Sequence, residues 1–121
     1  MSTTTAPSKT EIADTAEQAA GIVDTNGLHK GYLYDEAKAD EGVKPAECPV
    51  DAVGAVNTAV FGKPCWPAEE HPGSLLAQAV VLALQETVGR PVTGWNDERG
   101  RQKRQVVKAL RDTAARLREA K

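Results

Sequence analysis

The sequence predicts a mainly α-helical fold, a small four-helix domain with a long irregular connection between the first two helices. Apolar residues recur three and four positions apart in four separate stretches, the period of a helix with one buried face. Each stretch is bounded by residues that start or stop helices. Only five of the 121 residues are aromatic, so the core is expected to rest on aliphatic helix faces. By length this is one domain, expected over 8–121, and large enough to close a modest core. Residues 1–7 form a Ser/Thr tract without the basic start or apolar middle of a secretion signal, expected to be a disordered tail.

The first helix is expected to open at Ser8, since Glu11 three positions on completes a capping box. Ile12, Ala16, Ala19, Ala20 and Val23 then form a narrow apolar stripe that stops at Asn26-Gly27. Residues 28–47, LHKGYLYDEAKADEGVKPAE, lack helical periodicity and predict a loop with at most a short strand pair around Tyr32 to Tyr34. A second helix is expected from Pro49 to Phe61, with Val53, Val56 and Val60 buried. Ser74 is expected to cap a third helix, LLAQAVVLALQETV. Its apolar residues cover most of the circumference, which predicts the hub of the core. A last helix begins between Asp97 and Lys103 and buries Val106, Leu110, Ala114 and Leu117.

The charge is unevenly distributed. Residues 1–98 hold six Lys/Arg and fifteen Asp/Glu, whereas residues 99–121 hold nine Lys/Arg and two acids. Arg99, Arg101, Lys103 and Arg104 crowd the amino end of the last helix, where the helix dipole is itself positive, so an anion should relieve them. That anion is either internal, from Asp97, Glu98 or an acidic first helix packed alongside, or it belongs to a partner.

Three segments, GLHKGYLYDE, CPVDAVGAVNTAVFG and GWNDERGRQKRQVVKALRDTA, resemble a family of short proteins of unknown function from actinobacteria and their phages. The family shows a Trp/Cys-Lys-Gly segment, an Ala-Val-Gly-Ala helix and a closing Trp-Asn-Asp-x-x-Gly-Arg-Thr before an amphipathic helix. The resemblance spans residues 10 to 118 and implies a helical fold without implying an activity. Leu28-His29 stands in place of Trp-Cys, and Gln102 in place of the Thr that would cap the last helix.

These features predict a cytoplasmic interaction or accessory protein rather than an enzyme. It would bind another protein, or a second copy of itself, through a basic surface of Arg101, Arg104, Lys108 and Arg111 with Trp95 at the edge. Trp95 itself is expected to pack back on the last helix or the third, with Asn96 and Asp97 as cap or turn residues. Nucleic-acid binding by the same surface is the alternative, opposed by an acidic body and a pI near 5.7. A weaker alternative is a small enzyme or zinc protein around Cys65 and His71, with Cys48, His29, Glu69 and Glu70 as the remaining groups of suitable type. No close pair such as C-x-x-C supports zinc, and no strained nucleophile turn or phosphate loop supports catalysis. No metal, cofactor or membrane association is therefore expected; the longest apolar run, Ala79 to Leu84, is far too short to span a bilayer.

Overall fold

The computed structural model describes residues 6–119, so the first five residues of the expected tail lie outside the described residues. Six α-helices follow in order: α1 (Lys9–Asn26), α2 (Glu36–Asp40), α3 (Ala52–Phe61), α4 (Ser74–Val88), α5 (Val92–Asp97) and α6 (Lys103–Glu119). A single 3₁₀ turn covers Pro45–Glu47. The long helices α1, α3, α4 and α6 lie on the four apolar stripes, and α2 and α5 are short additions to the four expected.

Local chemistry sets α1. Ser8 accepts the Glu11 N–H at 3.1 Å, and Glu11 in turn accepts the Ser8 N–H at 3.0 Å, closing the capping box. At the other end Gly27 adopts φ 103°, a conformation that suits glycine. The buried face is almost entirely alanine, namely Ala13, Ala16, Ala19 and Ala20 with Val23. Small side chains let neighbours approach closely, and α1 packs on α6, α3 and α4. The hub is therefore α1 and not α4, contrary to the expectation from the apolar circumference of α4. Only Ala77, Val80, Ala83 and Leu84 of α4 are buried.

Two helix starts also differ from expectation. Asp51, not Pro49, begins α3: its carboxylate accepts the Gly54 N–H at 2.6 Å while its own backbone stays extended. Pro49 and Val50 are held extended by remote partners, for the Pro49 carbonyl accepts Asp35 N–H and the Val50 carbonyl accepts His29 N–H. Gly73 rather than Ser74 occupies the cap position of α4, and no side chain caps that helix.

The connection after α1 is ordered by these contacts. Val50 forms isolated bridges to Leu28, in parallel, and to Tyr34, antiparallel, in place of a strand pair around Tyr32 to Tyr34. Asp35 then caps α2. On the far side of the core, α4 meets α6 through a hydroxyl pair, Thr87 and Thr113, 2.7 Å apart. The Arg116 guanidinium adds a 2.8 Å bond to the Ala83 carbonyl. Among the described residues no helix is long and apolar enough to cross a membrane.

Candidate functional site

The amphipathic α6 buries Val106, Val107, Ala109, Leu110, Thr113 and Ala114 and sends its cations to the surface. Because α6 lies along α1, much of that charge meets the acids of α1. Arg118 reaches Asp14 at 3.0 Å and Glu17 at 3.2 Å, and these bonds raise the pKa of its guanidinium. Arg111 reaches Glu17 at 3.3 Å, and Lys103 reaches Asp24 at 3.8 Å. Within α6, Lys108 pairs with Asp112 at 2.6 Å. All these groups are about half exposed or more, so each pair is weak, as solvated ion pairs are.

Between the end of α1 and the first half of α6 lies an open groove of about 450 Å³, lined by Lys103, Arg104, Lys108 and Arg111 with Asp24 and Asp112. Three of the five residues expected at a binding surface, Arg104, Lys108 and Arg111, therefore share one concavity. Lys103, which the sequence reading did not single out for binding, joins them. Arg104 forms no ion pair among the described residues; its Nε donates to Gln102 Oε1 at 2.7 Å. That bond occupies the side chain standing where the resembled family has a capping Thr. Only half of a capping box forms, with Gln105 accepting the Gln102 N–H at 2.9 Å.

Trp95 and Arg101 lie outside the groove and hold one another. The Arg101 guanidinium stacks over the Trp95 ring at 4.1 Å, its Nε donates to the Trp95 carbonyl at 2.9 Å, and its terminal nitrogen meets Glu98 at 3.0 Å. With the Arg101 side chain only 16% exposed, this cation serves as a clasp on the 98–102 turn. Trp95 also packs on the core, as expected, but Trp95, Asn96 and Asp97 are helical, forming the end of α5 rather than a cap or turn.

Asn96 and Asp97 organise a second polar site, which runs from the buried Asn96 side chain out to the exposed Asp97 carboxylate. Asn96 Oδ1 accepts the Ala52 N–H at the head of α3 at 3.0 Å, and its Nδ2 donates to the His29 carbonyl and to Asp97 Oδ1, both at 3.1 Å. Asp97 Oδ1 also accepts the Gly31 N–H at 3.0 Å, while Lys30 Nζ donates to the Glu98 carbonyl at 3.0 Å. On the α3 side, Asp51 donates its N–H to the Leu33 carbonyl at 3.0 Å. Gly54 passes so close to that carbonyl that a side chain there would overlap it. Lys30-Gly31, Asp51 to Gly54 and Asn96-Asp97 belong to the three segments that carry the resemblance, and here they meet.

A family of unknown function, DUF6197, matches residues 7–116. The chain belongs to this family. No curated protein and no solved structure matches it.

In this DUF6197 protein the groups proposed for zinc do not form a metal cluster. Among the described residues no three His, Cys, Asp or Glu side chains are placed to hold a metal ion. His71 Nδ1 accepts the Gly73 N–H at 2.9 Å, and its ring stands edge-on to Phe61 at 4.9 Å. Cys48 is buried with its Sγ directed at the Lys44 carbonyl at 3.4 Å, and burial pushes its thiol pKa up, away from the thiolate that ligation or attack requires.

Asp51 is the one strongly perturbed acid in the DUF6197 core. Burial raises its pKa from 3.8 to about 6, the Gly54 N–H bond opposing the rise and nearby Asp97 adding to it. Between those values the folded chain holds a proton that the unfolded chain has released. This contribution to stability is therefore complete below the unfolded value and is lost as pH rises through the folded one. At about 1.4 kcal/mol per pKa unit, the loss is on the order of 2–3 kcal/mol. Asp51→Asn keeps an acceptor for Gly54 and cannot ionise. Urea midpoints are expected to show the variant gaining stability over wild type by that amount between pH 4 and pH 7.5. Parallel pH profiles would show that Asp51 titrates normally.

Proposed function

We propose that this protein is an interaction module that takes an acidic segment of another protein into the groove on α6. The observation that supports this is the convergence of Lys103, Arg104, Lys108 and Arg111 on one concavity of about 450 Å³. The carboxylates now facing three of these cations sit in solvent-exposed pairs of small net energy, so an incoming carboxylate can exchange with them at little cost. Arg104 offers a guanidinium that, among the described residues, only Gln102 holds, and it is suited to a bidentate carboxylate contact. Trp95 and Arg101 stay with the fold in this reading, since each occupies the other.

The alternative, nucleic acid on the same face, is supported less well. Asp24 and Asp112 line the groove and Glu17 borders it through Arg111, so a phosphate backbone would meet anions between the cations. The Trp95 ring, the one a base would stack on in that reading, is already covered by Arg101. A labelled glutamate-rich peptide and a duplex DNA of matched charge should be titrated against the full chain at low and moderate salt. Peptide binding is expected to weaken about tenfold or more in Arg104→Glu combined with Lys108→Glu, with the helical circular-dichroism signal unchanged. Tighter binding of the duplex, with a steep fall in affinity as salt rises, would replace the protein partner with nucleic acid.

A further inference from the structure

We infer, on the basis of the acidic-segment reading of the α6 groove, that the partner docks there as an α-helix laid between α1 and α6, with one acidic stripe turned to α6. The cations set the spacing. Arg104, Lys108 and Arg111 are four and three positions apart and fall in one line along α6, about 10 Å from first to last at about 1.5 Å per residue. Acids at i, i+4 and i+7 of a second helix repeat those intervals, so each carboxylate meets one cation. In an extended chain the residues on one side recur about every 6.7 Å, so three of them span about 13 Å and the third has passed its cation by about 3 Å.

The wall of the groove opposite these cations is α1. Glu17 touches Arg111 at 3.3 Å and Asp24 touches Lys103 at 3.8 Å, and Gly21 lies between them, four positions after the one and three before the other. All three therefore share the face of α1 that borders α6. Glycine is the poorest helix former after proline, yet it stands here in the interior of an 18-residue helix. The fold makes no demand for it: among the described residues, a Cβ at Gly21 would meet nothing beyond its own helix within 4 Å, whereas Gly54 and Gly73 are each crowded by a neighbour. Across the groove Val107 holds the matching place on α6, midway between Lys103 and Arg111, and it too lines the concavity. The missing side chain thus keeps open the gap into which a third helix can settle.

Charge fixes the rest of the occupant. Glu17 and Asp24 flank Gly21, so the side of the partner turned to α1 carries small or basic residues, and its acids are confined to the side facing α6. Arg104 has no acid partner among the described residues and receives one carboxylate alone. At Lys108 and Arg111 the incoming carboxylates share the cation with Asp112 and Glu17.

Two labelled peptides of equal charge test the mode of docking: an alanine-based peptide with glutamates at i, i+4, i+7 and i+11, and the same peptide with one central alanine replaced by proline, which breaks the helix. Titrated against the full chain at low salt, the helical peptide is expected to bind at least about tenfold more tightly. Gly21→Leu puts a side chain into the gap. It should weaken binding of the helical peptide about tenfold or more and leave Tm at or above the wild-type level, since leucine is the better helix former. Gly21→Ala fills less of the gap and should fall between wild type and Gly21→Leu in affinity. Equal affinity for the two peptides, preference for the proline peptide, or a Gly21→Leu chain that binds like wild type would each overturn the helical mode while leaving the acidic segment as the partner. Failure of both peptides to bind the wild-type chain would remove the partner and the mode together.

Discussion

Asn96→Ala is expected to lower the unfolding free energy by about 3 kcal/mol, although it removes only a few atoms from a six-residue helix. The Asn96 side chain is fully buried and joins three parts of the chain: the Ala52 amide, the His29 carbonyl and the Asp97 carboxylate. Truncation leaves the Ala52 amide buried without a partner and strips the half-buried His29 carbonyl of its donor, and that desolvation penalty exceeds the value of the bonds themselves. Asn96→Asp is the informative companion. It retains an acceptor for Ala52 but brings a third carboxylate against Asp97 and Asp51, so it should be worse than alanine at neutral pH and recover on acidification. Urea denaturation at two pH values measures both. An alanine variant within about 0.5 kcal/mol of wild type would mean that Asn96 does not clamp the three segments.

Gly54→Ala is expected to cost about 2–4 kcal/mol, against the gain of roughly 1 kcal/mol that alanine normally brings to a helix interior. Gly54 needs no unusual dihedral angle; what it supplies is space. A methyl group would overlap the Leu33 carbonyl oxygen, a backbone atom that cannot turn aside as a flexible side chain could. The 28–35 loop would have to lift, and the Asp51 N–H bond to Leu33 would stretch or break with it. Thermal unfolding gives the size of the effect. Faster amide exchange at Asp51 would locate it, and an unchanged or raised Tm would show that the loop accommodates the methyl freely.

Both positions illustrate what the sequence could and could not convey. The Ser8–Glu11 box and the stops at Gly27, Gly62 and Gly89 are legible because each depends on neighbours within a few residues. The buried face of α6 is legible from its period. The start of α3 is not, because Asp51 can cap only after Val50 has been drawn into extended pairing with Leu28 and Tyr34. Helix α5 is hidden for the same reason: Thr93, Gly94, Asn96 and Asp97 are poor helix formers, and the bonds that support the last two come from residues 44 to 67 positions away. Apolar circumference misidentified the hub, since α1 achieves the closest packing with alanine and α4 leaves leucines outside. At the candidate binding surface, spacing placed Arg104, Lys108 and Arg111 together correctly. The sequence alone could not show that Arg101 would fold back on Trp95, because that contact depends on the turn at Gly100.

The partnership of α1 with α6 also bears on how the chain is made. Helix α1 finds its main cover in α6, which is synthesised later and is joined to it by contacts as remote as Arg118 with Asp14, 104 positions apart. At roughly 5–20 residues per second, α1 waits about 5–20 s before the segment that shields its alanine face has been synthesised. Closing the loop between α1 and α6 therefore comes before the gain from burying the alanine face.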